Sequence, residues 1–264
     1  MRSARRLLVT GLVAFGLVAA GCADDDRPSS TASAAPEPAV DGDVTVFAAS
    51  SLTDAFTELG EAFRAANPEA GVRFNFAASS ELVTQISEGA PADVFASADL
   101  TTMTKFTDAG NDASEPVVFT TNRAEIIVGP GNPKGIAGIA DLANDDLVVI
   151  SCAPAVPCGQ YARQVLDNAG VTVAFKSLEE NARAVVSKVT LGEADAGIVY
   201  VTDVIGAGDA AEGVEIPADI NVVAEYPIAV TRGAEDPQAA QAFIDFVDSA
   251  DGRAILESYG FVSP

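Results

Sequence analysis

The chain of 264 residues contains no histidine. Without imidazole, Ser-His-Asp and Cys-His nucleophilic catalysis are excluded, as is every His-ligated metal site. Positive charge is scarce: 15 Lys and Arg stand against 38 Asp and Glu, for a formal net charge of −23. Phosphate backbones are held by clustered Lys and Arg, so nucleic acid is excluded as a partner. The same balance means that net charge would not steer an anion here, and an anionic ligand would have to be held by local dipoles and hydrogen bonds. Cysteine is almost absent, with Cys22, Cys152 and Cys158 the only three.

Long apolar runs are equally rare, and the one present lies at the N-terminus. Arg2, Arg5 and Arg6 precede an apolar run from Leu7 to Ala20 that contains Gly11 and Gly16. The run is short for a membrane span and reads as a signal peptide over 1–21. It ends Ala19-Ala20-Gly21-Cys22, small residues before a cysteine as in a bacterial lipoprotein cleavage box. The expected mature N-terminus is a lipidated Cys22, on the outer face of the cell membrane; simple secretion with cleavage nearby is the alternative. Residues 22–42 are a polar, Ser/Ala/Pro-rich tether, expected to be disordered. Removing 1–21 deletes three arginines and no acid, which leaves 12 cationic and 38 acidic residues and a net charge of −26. Folded sequence begins near Asp43, long enough for a large core in one or two domains. In an oxidising compartment Cys152 and Cys158, six residues apart, are expected to form a disulfide. Their spacing is not Cys-x-x-Cys, and two thiolates alone do not close a zinc site.

What the sequence does have is a stretch written twice. Phe47-Ala48-Ala49-Ser50-Ser51-Leu52 recurs as Phe76-Ala77-Ala78-Ser79-Ser80. Each copy follows a β-type run and leads into a helical pattern, so each is a strand-to-helix junction with two serines at the helix start. Serine is a good N-cap, and Ser51 with Asp54 three residues on fits a capping box. A helix start also offers partial positive charge and unpaired N–H groups. Two such junctions on neighbouring parallel strands would face one crevice. They read either as an anion site built from neutral donors or as two pairs of caps.

Along the chain, strands and helices alternate. Strands are expected over 72–76 and 92–96, with helices after Ser51, over 80–88 and from Asp99. An extended piece covers 116–121, with strands over 123–129, 147–151, 171–175 and 196–200. Helices follow Gly159, span 181–191 and begin near Asp203. Val222–Val230 is extended again, and helices over 236–247 and 252–259 close the chain. This is α/β, with two doubly wound lobes joined by two extended hinge segments. Lobe 1 is expected to comprise 43–121 and 222–264, and lobe 2 residues 122–221, with a cleft between them.

The motifs Val46-Phe47-Ala48-Ala49-Ser50-Ser51-Leu52-Thr53, Phe76-Ala77-Ala78-Ser79-Ser80 and Gly89-Ala90-Pro91-Ala92-Asp93-Val94-Phe95 follow one another in the first half. Val156-Pro157-Cys158-Gly159-Gln160-Tyr161-Ala162, Gly197-Ile198-Val199-Tyr200 and Tyr259-Gly260-Phe261 follow in the second. In this order and spacing the chain, over 43–264, resembles the periplasmic molybdate-binding proteins of ABC-type uptake systems. The resemblance implies a type II periplasmic binding fold and a monomer that captures molybdate, and tungstate as well. It further implies delivery to a membrane permease and its ATPase, with no enzyme activity and no cofactor. It implies five oxyanion ligands: the hydroxyls of Ser51, Ser79 and Tyr200 and the backbone N–H groups of Cys158 and Ala182. The family position at Cys158 is commonly alanine and that at Ala182 more usually valine, changes that backbone donors tolerate. A disulfide at Cys158 would stiffen the loop at the ligand.

The donor set suits a tetrahedral dianion, which has acceptor oxygens and no proton to give. A sulfate or phosphate receptor of the same fold is the alternative, and phosphate would call for an acidic acceptor such as Asp54 or Asp93. Asp54 reads instead as a cap and Asp93 as structural. An alternative of another class is a secreted serine hydrolase using Ser51 or Ser79. It would need a Ser-Lys pair, and none of Lys105, Lys134, Lys176 and Lys188 sits in a recognisable motif with either serine.

Overall fold

The computed structural model describes residues 40–264. The expected signal peptide, Cys22 and most of the tether lie outside the described residues. Strand β1 (Gly42–Ala49) runs through one 3-10 turn, Ser50–Leu52, into helix α1 (Thr53–Ala66). Strand β2 (Ala70–Ala77) leads directly into α2 (Ser79–Ser87), and β3 (Val94–Ala96) into α3 (Leu100–Asp108). The long strand β4 (Val117–Val128) follows, then β5 (Val149–Cys152), α4 (Pro157–Ala169), β6 (Ser177–Glu179) and α5 (Ala182–Thr190). The chain continues through β7 (Ala196–Tyr200), α6 (Val201–Ala207), β8 (Glu212–Glu215) and β9 (Val223–Val230). Helices α7 (Pro237–Asp248) and α8 (Ala250–Ser258) close it.

The strands form one hydrogen-bonded path, β2-β1-β3-β9-β4-β7-β5-β6, with β8 added on β4. At one end β1 lies parallel to both β2 and β3; at the other, β5 lies parallel to β6 and β7. The antiparallel pair β4–β9 joins the two ends. Residues 117–123 of β4 pair with β9, and residues 124–128 pair with β7 and β8. The extended piece and the strand expected separately over 116–129 are thus one strand that changes partners midway. Its continuity makes the sheet unbroken, while each end keeps its own parallel set and covering helices.

Helix α1 buries Ala55, Phe56, Leu59 and Phe63 along one face, at the i, i+3, i+4 spacing of an amphipathic helix. Phe56 and Phe63 meet Phe243 of α7 edge-on, with ring centroids 6.1 and 5.4 Å apart. Each fully buried ring of this kind contributes about 2–3 kcal/mol by area. The C-terminal helices are thereby held to the β1 end of the sheet. A second cluster, including Ile126, Val128, Leu142, Val165 and Ile198, fills the β5–β7 end.

Two local expectations fail. Residues 171–175 form no strand, although Val173 and Phe175 pack on the second cluster. Pairing with β5 begins only at Ser177, because β5 is four residues long and its register reaches no further back. Ser51 and Asp54 form no capping box either: α1 starts without a side-chain cap, and Ser51 and Asp54 both bond to residues distant in sequence.

Candidate functional site

The C-terminal ends of β1 and β2 lie side by side in register, Ala49 opposite Ala77. The two Ser-Ser junctions therefore emerge together, as the sequence suggested. They open on a pocket that also receives residues from the β5–β7 end. Ser50, Ser51, Ala78, Ser79 and Ala98 form one wall; Val156, Pro157, Cys158, Asn181 and Tyr200 form the other. No Asp, Glu, Lys or Arg is among the lining residues. The pocket's chemistry is that of hydroxyls, one amide and backbone.

Ser79 is the first residue of α2 and is 1 % exposed. It does not cap the helix. Its Oγ accepts the N–H of Ala98 at 3.0 Å, which leaves its own proton free to be given. Ser51 meets a different partner, its Oγ lying 2.9 Å from the Tyr226 hydroxyl, and either oxygen can be the donor. Tyr200, the last residue of β7, is 2 % exposed and its hydroxyl has no partner among the described residues. Burial pushes the Tyr200 phenol well above its ordinary pKa, and neighbouring Tyr226, Tyr161, Asp203 and Asp99 push the same way. It stays protonated and able to donate. A buried donor with no acceptor costs about 1–3 kcal/mol, so a ligand acceptor there would recover that cost.

Cys158 is the second residue of α4, after Pro157. Proline has no N–H and fits the first helical position, so the first donor of this helix belongs to Cys158. Val156, at the N-cap, offers no side-chain acceptor. The expected disulfide is present: Cys158 is bonded to Cys152, tying the start of α4 to the end of β5. Gly159 is required beside it, since a Cβ there would collide with the carbonyls of Ala153 and Cys152.

Ala182 is the first residue of α5 and is buried, but its side chain does not line the pocket. The preceding Asn181 does, while its Oδ1 caps α5 by accepting the Ala184 N–H at 3.0 Å. Four of the five expected ligand residues therefore border one pocket, with the fifth one position from its wall. Asn181 was not singled out from the sequence, although an Asn before a helical run is a cap signal. Asp93 is structural: its two oxygens accept the N–H groups of Thr45 and Glu235, both at 2.7 Å.

Behind the pocket lies an ion pair the sequence reading missed. Arg183 of α5 makes a two-pronged contact with Asp54 of α1, at 2.6 and 3.0 Å. The Asp54 hydrogen bond, against some desolvation, pushes the Arg183 pKa further up. Asp203 of α6 lies beneath, accepting the Tyr200 N–H at 3.1 Å. Burial drives its pKa up to about 7, against the lowering by the Tyr200 N–H and Arg183, with Asp54 adding to the rise.

The α/β scaffold is that of the type II periplasmic binding fold. The chain belongs to the family described as bacterial extracellular solute-binding protein, whose model matches residues 44–262. It is 42 % identical over 257 residues to the molybdate-binding protein ModA of Mycobacterium tuberculosis, covering 97 % of each chain. Among solved structures it resembles the periplasmic molybdate-binding protein of Azotobacter vinelandii, with a TM-score of 0.71, 21 % identity and coverage of 84 % and 99 %. It also resembles the sulfate-binding protein SubI of M. tuberculosis, with a TM-score of 0.75, 20 % identity and coverage of 83 % and 86 %. At such identities these two likenesses speak for the fold alone.

Proposed function

We propose that this protein captures molybdate, and tungstate with it, between the two ends of its sheet and delivers the anion to an ABC-type permease driven by a cytoplasmic ATPase. The observation that carries the anion reading is the buried, unpartnered Tyr200 hydroxyl in a pocket with no charged side chain. Ser51 and Ser79 add two further hydroxyls, that of Ser79 with a lone pair engaged by the Ala98 N–H and that of Ser51 paired with the Tyr226 hydroxyl. The N–H groups at the starts of α4 and α5, from Cys158 and Ala182, complete the donor set. Molybdate is favoured over other tetrahedral anions by the 42 % identity to a molybdate-binding protein.

In this reading residues 43–121 with 222–264 move as one lobe and 122–221 as the other, hinged on β4 and β9. The ligand bridges them, and its preference for the closed form shifts the population. The Asp54–Arg183 pair spans the same two lobes and closes with them. The protein works as a monomer tethered through a lipidated Cys22 on the outer face of the cell membrane, and acts as a receptor rather than an enzyme.

Thermal unfolding of the purified protein with molybdate, tungstate, sulfate and phosphate in turn tests this. A ligand at 100 times its dissociation constant adds about 2.7 kcal/mol of stability. The expected result is a clear upward shift with molybdate and tungstate. A shift with sulfate or phosphate and none with molybdate or tungstate would sink the proposal.

A further inference from the structure

A serine in an anion pocket can give its proton to the ligand or turn it inward and present a lone pair. For Ser51 the choice is made outside the pocket. Its Oγ lies 2.9 Å from the hydroxyl of Tyr226, a fully buried residue of β9. That hydroxyl lies 3.4 Å from Nδ2 of Asn122, a buried residue of β4. The Asn122 amide is oriented by two other bonds. Its Oδ1 accepts the Arg123 N–H at 2.9 Å, and its Nδ2 donates to Thr202 Oγ1 at 2.9 Å.

An amide nitrogen only donates, so the Tyr226 oxygen accepts from Asn122. The single phenolic proton then has Ser51 Oγ as its acceptor. With the opposite polarity, Ser51 would donate to Tyr226 and the phenolic proton would be buried without a partner, an unfavourable arrangement. Tyr226 therefore donates to Ser51. Ser51 keeps a proton for which the protein supplies no acceptor among the described residues, and Ser51 is one of the residues lining the pocket. Burial holds the Tyr226 phenol well above its ordinary pKa, against the lowering by Ser51 and Asn122, so the phenolic proton stays in place.

We propose that Asn122 and Tyr226 are positioning residues that lock Ser51 as an obligate hydrogen-bond donor to an oxygen of the bound anion. The proposal rests on the oxyanion reading above and deepens it. Both positioning residues lie on β4 and β9, the strands that join the two ends of the sheet. The polarity of Ser51 is therefore set by the connecting strands and not by its own junction.

A double-mutant cycle tests this, with molybdate dissociation constants measured by calorimetry for the unmodified protein, Ser51→Ala, Tyr226→Phe and the double variant. Tyr226→Phe is expected to weaken binding about tenfold, as for loss of an oriented hydrogen bond to a charged group. In the Ser51→Ala background it should add nothing, because it acts only through Ser51. Asn122→Ala should give a smaller loss, also cancelled by Ser51→Ala, and replaces Tyr226→Phe in the cycle if the latter has no cooperative unfolding transition. Losses that multiply in the double variant would show that Tyr226 acts through packing and would overturn the proposal. If the unmodified protein binds none of molybdate, tungstate and sulfate, the oxyanion reading itself falls and takes this one with it. If it binds sulfate alone, the molybdate assignment falls, and the same cycle read with sulfate decides the role of Tyr226.

Discussion

The helix starts of this protein fall into two groups. Away from the pocket, α7 is capped by Asp236, which accepts the Gln238 and Ala239 N–H groups at 3.0 Å, and α8 by Ser249, which accepts the Gly252 N–H at 3.1 Å. At the pocket, α2 follows Ala78 and α4 follows Val156, and neither residue supplies a side-chain acceptor. A missing cap costs about 1 kcal/mol of stability. These two starts border the same pocket, which is what an anion site requires: donors that the protein itself has not used. Helix α5 lies between the groups, since Asn181 both caps it and lines the pocket.

The contrast can be broken most strongly by supplying the missing cap. Val156→Asp places a carboxylate at the start of α4, where the anion's oxygen is proposed to sit. Molybdate affinity should fall by roughly a hundredfold or more, as for removal of charge-assisted bonds and introduction of like charge, while the unliganded protein stays folded, the new cap offsetting part of the stability lost with the buried Val156 side chain. Unchanged affinity in a titration would show that the start of α4 does not hold the ligand.

A smaller effect is expected beneath the pocket, where Asp203 bonds to the Tyr200 N–H from a fully buried position. Its folded pKa of about 7 is raised above the ordinary 3.8. The folded state therefore binds a proton that the unfolded chain has lost, and the stabilisation is complete below about pH 4 and disappears as pH rises through 7. Asp203→Asn should flatten this slope, leaving stability near pH 4 little changed and raising it by a few kcal/mol at pH 8. Urea unfolding at the two pH values measures this, and equal gains at both would contradict it. The smallest effect is at a helix start remote from the pocket. Asp236→Ala should cost about 1 kcal/mol of stability and leave the molybdate dissociation constant unchanged, which separates caps that only stabilise from starts that bind.

Much of the fold was legible because it rests on local patterns. The repeated Phe-Ala-Ala-Ser-Ser marks two strand-to-helix junctions at any distance, and their parallel register follows from right-handed βαβ connections. The cysteines at 152 and 158 lie close enough in sequence to pair across one turn. The roles of the serines were less legible. A capping box at Ser51 and Asp54 satisfied every local rule, yet Asp54 is claimed by Arg183, 129 residues away, and Ser51 by Tyr226, 175 residues away. The strand expected over 171–175 failed for a similar reason: its alternation was right, but its neighbour was too short to pair with it.

The sequence by itself determined the kind of chemistry open to this protein. Without histidine it is closed to imidazole chemistry, and the hydroxyls gathered at helix starts leave open the holding of an anion by neutral donors. Only the tertiary structure decided which of those donors are still free. A hydroxyl is both donor and acceptor, and its proton goes wherever its lone pairs are not already filled. For Ser79 the lone pair is filled by the Ala98 N–H, and for Ser51 by Tyr226 under the direction of Asn122. Those partners are brought by β3, β9 and β4, and no local motif encodes them.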